Sequence, residues 1–450
     1  MKRDITAELI RWKGKKNRKP LLLSGVRQCG KTYIIDRFAR DEFEDFAYFN
    51  FDGNAGLRSV FDYDFDTDRI VNELESVILG REIVPGKTLV IFDEIQACPR
   101  AISSLKYFCE NMEQLHIIAA GSLLGVVLRG NVSSDDEVFS FPVGKVDRLE
   151  MHPMSFSEFV CADGGEKYIE GLKKLPLGRK IPELYTAPME KYLKNYYIVG
   201  GMPEAVQTWI NTHSYSEAEE VQERILKDYR DDFGKYTSNT DANRISLIWD
   251  SIPTQIAREN NKFIFSHVRK GARSKDLEDS LQWLVNSGLA YRLHLVEKPE
   301  LPLAGMKDAT YFKVYMSDIG LLRRKSGLDH RTILDGDSAE YAHFKGALAE
   351  NYVMTQLVAM DINSYFWRTK NNAEIDFVIE CGGRMIPIEV KSADNTKAKS
   401  LWLFDSRYKP KIAFKISMKN VGDNMDGGTR VWSLPLYCLF RLEDYVEEDI

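Results

Sequence analysis

Residues 25–32 have the types and spacing needed to hold the phosphate groups of a nucleotide. They spell G-x-x-x-x-G-K-T, and the glycines allow backbone N–H groups to turn toward phosphate oxygens. In such a loop the Lys31 side chain reaches the β- and γ-phosphates, and the Thr32 hydroxyl ligates Mg²⁺. We therefore predict that ATP with Mg²⁺ is bound by Gly25, Val26, Arg27, Gln28, Cys29, Gly30, Lys31, Thr32 and Tyr33.

An acidic pair follows a run of apolar residues and could act on the same nucleotide. Residues 88–92 predict a buried strand, and this strand leads into Asp93 and Glu94. Asp93 is expected to hold the Mg²⁺ shell, and Glu94 to orient or deprotonate the attacking water. Ser122 follows the apolar residues 115–120 and could sense the γ-phosphate, or it could cap a following helix.

The C-terminal part contains a second constellation, in which Asp376 is followed by Glu389 and Lys391. The surrounding residues predict two strands connected by a Gly-Gly turn, and in that register Asp376 lies opposite Glu389. Two facing carboxylates repel unless a divalent cation lies between them, and their oxygen atoms suit Mg²⁺ or Mn²⁺. Lys391 could then orient an attacking water. A hairpin without metal, stabilised by an ion pair between Glu374 and Lys391, is the alternative.

The first constellation requires a sheet whose strands end at the functional residues. Apolar runs at 21–23, 46–51, 88–92 and 115–120 predict such strands, and the residues after Thr32 have helical spacing. A helix at that place directs the positive end of its dipole toward bound phosphates. This order indicates a parallel α/β sandwich, whereas a glycine turn arising by chance would lack the flanking strand and helix.

Bulk properties limit the classes of protein that fit. The chain has 450 residues, of which 44% are hydrophobic, so about three domains with substantial cores are expected. With a net charge of −6, the molecule as a whole is not expected to bind polyanions. Any surface that binds nucleic acid must therefore be a local basic patch. The six cysteines form no C-x-x-C pair, which argues against a zinc ribbon and fits a reducing cytoplasm. We expect neither a signal peptide nor a membrane-spanning segment.

The middle of the chain predicts helices followed by a winged-helix-like arrangement. Residues 155–240 have helical spacing with a break at Gly200, and residues 241–295 predict two helices and then an alternating strand. Basic side chains near the turn could contact DNA phosphates, and packing between domains is the alternative role for this segment. These residues are Lys262, Arg269, Lys270, Arg273 and Lys275.

Several motifs together resemble a family of bacterial and archaeal AAA-superfamily ATPases, in which an ATPase core precedes a C-terminal domain of unknown function. The motifs are GVRQCGKT, FDEIQ, AAGS, MHPMSFSEF, YYIVGGMPEAV and ILKDYRDDFGKY. The resemblance implies a helical lid over the nucleotide. Where this family usually carries Gly-Arg, this chain has Gly144 and Lys145. Because lysine cannot make the bidentate phosphate contact of arginine, Arg129 or Arg148 would have to supply an arginine finger.

The hairpin with Asp376, Glu389 and Lys391 resembles the PD-(D/E)XK constellation of restriction-endonuclease-like folds. This resemblance implies metal-dependent phosphodiester cleavage, or a related fold kept only for binding. Glu350, on the preceding predicted helix, matches an additional acid of those nucleases. The proline that usually precedes the first acid is replaced here by Ile375.

The combined prediction is an α/β protein with four parts. These are a P-loop AAA-type ATPase core (1–160), a helical lid (161–240), a winged-helix-like domain (241–330) and a small α/β restriction-endonuclease-like domain (331–450). The predicted catalytic residues are Lys31, Glu94, Ser122, Glu350, Asp376, Glu389 and Lys391. The predicted metal ligands are Thr32, Asp93, Asp376 and Glu389.

Two functions fit this organisation. The favoured one is a cytoplasmic protein that binds and hydrolyses ATP and acts on DNA, with a nuclease-like C-terminal domain. The alternative is a nucleotide-driven switch or scaffold that recruits a protein partner and has a catalytically silent C-terminal domain. A homo-oligomer is compatible with either function.

Overall fold

A computed structural model describes residues 1–122, 141–235, 237–258, 262–336, 339–370, 373–391 and 399–448. The chain forms two compact units, and each is treated separately below. The N-terminal unit comprises residues 1–152 with 286–288, and the C-terminal unit comprises residues 153–285 with 289–450. Within the described ranges, every helix is too short or too polar to span a membrane.

The N-terminal unit contains a five-stranded sheet of order β2-β3-β4-β1-β5, in which all pairings are parallel. Its strands are β1 (Leu21–Gly25), β2 (Asp45–Asn50), β3 (Thr88–Asp93), β4 (His116–Ala120) and β5 (Asp147–Met151). Its helices are α1 (Ile5–Lys13), α2 (Lys31–Glu42), α3 (Ala55–Ser59), α4 (Thr67–Glu73) and α5 (Pro99–Asn111), with a π-helical turn at Leu74–Leu79 and a 3-10 turn at Ile95–Ala97. The predicted parallel sheet is therefore confirmed.

The central strands of this sheet are buried on both faces. All residues of β3 and β4 are buried, as expected for parallel strands that form continuous apolar runs. Aromatic side chains from neighbouring strands and from α5 fill the core, among them Phe49, Phe92 and Phe108. This packing holds the ends of β1, β3 and β4 in register.

Gly25, at the end of β1, is required by the close approach of β5. Its φ is 144°, and a Cβ atom at this position would lie 2.2 Å from the carbonyl oxygen of Met151. Any side chain here would displace the neighbouring strand. The first glycine of the loop therefore serves the packing of the sheet as well as the turn.

The C-terminal unit begins with a series of helices. They are α6 (Phe156–Val160), α7 (Glu166–Lys174), α8 (Glu183–Val199), α9 (Pro203–Thr212), α10 (Tyr215–Lys235), α11 (Asn239–Ile256), α12 (Phe265–Val268) and α13 (Ser274–Asn286), with a π-helical turn at Cys161–Gly165. Gly200 separates α8 from α9 with a φ of 76°. The predicted break in helical spacing is at this position.

The rest of this unit is built on an eight-stranded mixed sheet of order β12-β13-β11-β10-β9-β8-β6-β7. Its strands are β6 (Ala290–Val296), β7 (Lys307–Met316), β8 (Ser364–Arg368), β9 (Glu374–Cys381), β10 (Arg384–Val390), β11 (Ile412–Ser417), β12 (Gly422–Asp426) and β13 (Thr429–Pro435). The remaining helices are α14 (Ile319–Lys325), α15 (His330–Asp335), α16 (Ala339–Ala359), α17 (Lys399–Tyr408) and α18 (Leu442–Glu448), with 3-10 turns at Leu303–Met306 and Leu436–Arg441.

The alternating strand predicted near residue 295 is β6, which belongs to this same sheet. β6 pairs with β7 in antiparallel fashion and with β8 in parallel fashion. The predicted boundary at residue 330 therefore falls inside one compact unit. The lid, winged-helix-like and restriction-endonuclease-like assignments stay predictions.

The β9–β10 hairpin has the register expected from its sequence. Gly382 and Gly383 have φ values of 58° and 69°, as a two-residue turn of the hairpin type requires. The pairs run from Cys381 opposite Arg384 to Phe377 opposite Ile388. The paired residues end one position before Asp376 and Glu389, which belong to β9 and β10 respectively.

Candidate functional site

Lys31 begins α2, and its side chain is held against the start of the loop. Its Nζ donates hydrogen bonds to the carbonyl oxygens of Gly25 and Val26 at 2.9 and 3.0 Å. Gly30, with a φ of 93°, is the N-cap of α2. The free N–H groups of the first helical turn and the buried ammonium group of Lys31 thus lie at one end of the loop.

Asp93, at the end of β3, collects three donors and is almost completely buried. Its Oδ2 accepts hydrogen bonds from the Thr32 hydroxyl at 3.1 Å and from the Tyr48 hydroxyl at 2.6 Å. Its Oδ1 accepts from the backbone N–H of Glu94 at 3.0 Å. The structure therefore brings Thr32 and Asp93 together, as the motifs predict. Tyr48 of β2 was not in the predicted site, and its sequence signal is a hydroxyl group within the predicted strand at 46–51.

Glu94 has an unusual backbone conformation beside this carboxylate. Its φ and ψ are 51° and 41°, the left-handed region that a non-glycine residue seldom adopts. The Nε2 of Gln96 donates a hydrogen bond to its Oε2. Strain of this kind persists where the surrounding structure imposes it, often at functional sites. The side chain of Glu94 is thereby held by a neighbour rather than left to rotate.

Ser122 lies just beyond β4, which is placed between β1 and β3 in the sheet. Because the strands are parallel, the loop, Ser122 and Asp93 all follow the carboxyl ends of neighbouring strands. The residues directly after Ser122 lie outside the described ranges. Its two predicted roles, phosphate sensor and helix cap, both stay open.

One of the two predicted sources of an arginine finger, Arg148, belongs to β5, the strand beside β1. β5 pairs Asp147 with Leu21 and Met151 with Gly25, so residues near the start of β5 are remote from the loop. The Nζ of Lys145 forms an ion pair with Glu110 Oε1 at 2.9 Å. Lys145 and Arg148 therefore lie near the amino-terminal end of β1, whereas the loop follows its carboxyl end. Arg129 lies outside the described residues.

A cavity of about 350 Å³ borders the predicted nucleotide site. Tyr33, predicted to contact the nucleotide, lines this cavity and is 53% exposed. Thr32, Tyr48 and Asp93 line it as well. A molecule in this cavity would touch both predicted Mg²⁺ ligands of the N-terminal unit.

Asp376 and Glu389 lie at the open end of the β9–β10 hairpin. Asp376 Oδ2 accepts a hydrogen bond from the backbone N–H of Val390 at 2.7 Å. Glu389 is 4% exposed, and its Oε1 lies 2.6 Å from Lys391 Nζ. The second oxygen of Glu389, Oε2, has no hydrogen-bond partner among the described residues. The three motif residues are therefore close together, with one buried carboxylate oxygen still available.

Strand β7 adds two residues to this group that the motifs do not include. The Lys313 Nζ lies 2.6 Å from Glu374 Oε1 and 3.5 Å from Glu350 Oε2, and its side chain is 2% exposed. The Tyr315 hydroxyl donates to Glu350 Oε2 at 2.9 Å. A lysine inside the apolar run YFKVYM is the sequence signal that could have identified it. We call Lys313, Glu350, Glu374, Asp376, Glu389 and Lys391 the carboxylate cluster.

The predicted alternative ion pair between Glu374 and Lys391 is wrong. Glu374 pairs with Lys313 and, at 3.8 Å, with Arg368. Lys391, directly after β10, pairs instead with Glu389, two residues earlier in the chain. The reason is tertiary, because β7 brings a closer ammonium group to Glu374 than the hairpin itself supplies.

Crowding of carboxylates determines the proton affinities in this cluster. Burial, with the carboxylates of Glu389 and Glu350, raises the pKa of Asp376 well above its usual range. Burial also raises the pKa of Glu389, although the ammonium group of Lys391 opposes this. The carboxylates around Lys313 outweigh its burial and raise the pKa of that lysine. The cluster therefore favours an additional proton or cation.

No group of three or more His, Cys, Asp or Glu side chains in the described ranges is arranged to hold a metal ion. In the carboxylate cluster, the ammonium groups of Lys313 and Lys391 form ion pairs with carboxylate oxygen atoms of Glu374 and Glu389. A metal between Asp376 and Glu389 stays a prediction.

The predicted DNA-contacting patch lies around α12 and the start of α13. Four of its members, Arg269, Lys270, Arg273 and Lys275, are exposed. The fifth, Lys262, is partly buried and has its Nζ 3.7 Å from the ring centroid of Tyr311. The four exposed cations are thus accessible to a phosphate backbone.

Three family models match parts of the chain. Residues 17–160 match the model described as an AAA domain. Residues 190–332 match a domain of unknown function, DUF8612, and residues 345–439 match another, DUF4143. The predicted AAA core is thereby confirmed.

Sequence relatives are short matches. Uncharacterized proteins of Mycobacterium tuberculosis and Mycobacterium bovis are each 37% identical over 81 residues, which is 18% of this chain. The match spans only 17% of the length of each relative.

Solved structures with some likeness include two archaeal proteins. The Walker-type ATPase of Pyrococcus abyssi has 14% identity and a TM-score of 0.45, over 72% of this chain and 95% of that one. The ORC1 protein of Aeropyrum pernix, in complex with DNA, has 13% identity and a TM-score of 0.28, over 74% and 95%. Such TM-scores do not establish a shared fold. The match of residues 17–160 to the AAA domain model supports the prediction of an AAA-type ATPase domain in this part of the chain.

Proposed function

We propose that this protein binds and hydrolyses ATP at residues 25–32 and uses the nucleotide cycle to act on DNA. The observation that carries the ATP part is the convergence of Thr32 and Tyr48 on Asp93, next to Glu94. Thr32 and Asp93 supply hard oxygen donors of the kind that Mg²⁺ prefers. When bound, Mg²⁺ would neutralise charge on the phosphate oxygens.

Side chains of the N-terminal unit supply the remaining chemistry. Lys31, held near the first turn of α2, would bind phosphate oxygens and stabilise the charge that develops on them. Glu94 would accept a proton from the attacking water or orient it, and its hydrogen bond with Gln96 would limit its rotation. Tyr48 would keep the Asp93 carboxylate in one orientation.

The proposed action on DNA is supported by the C-terminal unit. Exposed Arg269, Lys270, Arg273 and Lys275 offer phosphate contacts. The element order α16-β8-β9-β10-α17-β11, with β11 parallel to β10, surrounds the hairpin that carries Asp376 and Glu389. The buried and unpartnered Oε2 of Glu389 is an atom that one divalent cation would satisfy. We therefore propose a nuclease-like module here.

A second function is favoured by the ion pairs in the carboxylate cluster. Lys391 pairs with Glu389 and Lys313 pairs with Glu374, so the cluster is partly neutralised by its own side chains. A module closed in this way would bind without cutting. The protein would then be a nucleotide-driven switch that recruits a protein partner.

One experiment separates the two functions. The full chain is incubated with linear and with circular DNA, in the presence and absence of ATP and of Mg²⁺ or Mn²⁺. DNA-stimulated ATP hydrolysis with metal-dependent cleavage supports the favoured function. ATP hydrolysis that DNA does not change, without cleavage of any DNA form, supports the switch. Absence of ATP hydrolysis under all conditions contradicts both.

A further inference from the structure

A buried lysine from outside the hairpin lies inside the carboxylate cluster. Lys313 belongs to β7, whereas the four carboxylates belong to α16, β9 and β10. Its Nζ contacts Glu374 at 2.6 Å and Glu350 at 3.5 Å and lies 5.0 Å from the ring centroid of Phe366. With a side chain that is 2% exposed, Lys313 cannot bind a substrate directly.

We propose that Lys313 is an internal cation that occupies the place of one divalent ion, so that the carboxylate cluster binds at most one. This inference rests on the proposed nuclease-like module. It predicts that the one divalent ion binds on the side of the cluster formed by Asp376 and Glu389. Lys313 is therefore a positioning residue, which acts on metal occupancy through Glu350 and Glu374.

The distribution of partners supports this division of the cluster. On the β7 side, Glu350 Oε2 accepts from Tyr315 and faces Lys313, and Glu374 Oε1 faces Lys313 as well. On the hairpin side, Glu389 is 4% exposed and its Oε2 has no partner among the described residues. Lys313 thus neutralises the carboxylates on the β7 side, whereas the hairpin side retains a buried carboxyl oxygen without a hydrogen-bond partner among the described residues.

The charges lead to the same conclusion. Glu350 and Glu374 carry two formal negative charges when ionised, and the cations of Lys313 and Arg368 lie beside Glu374. Asp376 and Glu389 also carry two, and the ammonium group of Lys391 lies beside Glu389. The excess of negative charge is therefore on the hairpin side, where a divalent cation would be attracted. A lysine can replace a cation in this way because its ammonium group is a compact charge with three donors.

The test counts bound Mn²⁺ in the nucleotide-free full chain by electron paramagnetic resonance of the free ion. Lys313→Met removes the charge with little loss of side-chain volume. Lys307→Met, at an exposed lysine on the same strand, is the matched control. We expect Lys313→Met to bind one more Mn²⁺ per chain than wild type, and Lys307→Met to bind the wild-type number. Any Mn²⁺ held by the N-terminal unit is common to all variants and cancels in the comparison.

A second variant tests whether charge is the cause. Lys313→Met combined with Glu374→Gln keeps the net charge of the cluster and should retain the wild-type number of ions. An unchanged number in Lys313→Met alone overturns the inference. If Lys313→Met folds only with Mn²⁺, that dependence supports the inference, and unfolding that Mn²⁺ does not reverse overturns it.

A different result would contradict the proposed metal site of the nuclease-like module. If Asp376→Asn binds as many Mn²⁺ ions as wild type, no ion occupies the hairpin side and the proposed metal site is wrong. The comparison between Lys313→Met and wild type still decides the role of Lys313 in that case.

Discussion

The Tyr48 hydroxyl donates a 2.6 Å hydrogen bond to Asp93 Oδ2, the same oxygen that accepts from the Thr32 hydroxyl. Tyr48 lies on β2, directly beside β3 in the sheet. The carboxylate expected to hold Mg²⁺ is therefore oriented from a neighbouring strand as well as from the loop. Burial and this hydrogen bond raise the pKa of Tyr48, so its hydroxyl remains a donor at neutral pH.

Replacing Tyr48 with Phe should weaken the response of ATP hydrolysis to Mg²⁺. A hydrogen bond to a charged group contributes about 1.5 kcal/mol or more, which corresponds to roughly tenfold in the Mg²⁺ concentration for half-maximal rate. Nucleotide binding without Mg²⁺ should change little. Tyr63→Phe is the control, because that side chain is 86% exposed. An unaltered Mg²⁺ response in Tyr48→Phe would show that this tyrosine has only a packing role.

Replacing Lys31 and replacing Glu94 should impair different steps, nucleotide binding and hydrolysis respectively. Lys31→Ala removes the charge that binds phosphates, so it should abolish binding of a fluorescent ATP analogue. Glu94→Gln keeps the shape of the side chain but cannot accept a proton, so binding should remain while hydrolysis falls about 10²-fold or more. Hydrolysis by Glu94→Gln at the wild-type rate would refute the role assigned to Glu94.

Changing Arg269, Lys270 and Arg273 to Ala should weaken DNA binding and reduce its dependence on salt. Each lost phosphate contact flattens the slope of log affinity against log salt by about one unit, so the decrease should be about three at most. Affinity is measured by fluorescence anisotropy over a range of salt concentrations. The control variant changes three other exposed cations of the C-terminal unit to Ala, namely Lys174, Arg179 and Lys180. Equal slopes in both triple variants would exclude this patch from the DNA-contacting surface.

The variants Asp376→Asn and Lys391→Ala should differ in their binding of Mn²⁺. Asp376→Asn removes a proposed ligand charge, so the rise in melting temperature with Mn²⁺ should be lost together with any cleavage. Lys391→Ala leaves both proposed ligands in place, so the Mn²⁺ response should persist while cleavage slows. Thermal shift assays with a Mn²⁺ titration measure the difference. If Mn²⁺ stabilises neither wild type nor either variant, the hairpin has no metal role.

Asp318 should make the stability of the C-terminal unit depend on pH. Its side chain accepts hydrogen bonds from the N–H groups of Gly201 and Leu321 at 2.6 and 2.8 Å, and burial raises its pKa from 3.8 to about 6. Because the folded state retains the proton to higher pH than the unfolded state, stability from this group is present below pH 4. That stability is lost as pH rises through about 6.

The expected loss is about 2 kcal/mol in the free energy of unfolding between pH 4 and pH 7. Asp318→Asn cannot titrate, so its stability relative to wild type should increase by that amount over the same interval. Urea titrations at several pH values measure this difference, and Asp335→Asn, an exposed aspartate in the same unit, serves as the control. A difference that does not vary with pH would contradict the assignment.

The amino-acid sequence by itself determined the local features of this protein. The loop at residues 25–32, the strand ending at Asp93 and the Gly-Gly hairpin follow from apolar periodicity and from the backbone freedom of glycine. These signals depend on neighbours in the chain, so they are readable without a fold. The register of this hairpin, from Cys381 opposite Arg384 to Phe377 opposite Ile388, was predictable for the same reason.

Only the tertiary structure decided which distant side chains complete each site. Tyr48 reaches Asp93 because β2 pairs with β3, and Lys313 reaches Glu374 because β7 belongs to the same sheet as the hairpin. The order of strands in a sheet depends on the burial of whole apolar surfaces, which no local motif records. The fold also determined the ion pairs, which join Lys391 to Glu389 and Lys313 to Glu374. Ion pairing depends on the distance between charges in space and not on their separation along the chain.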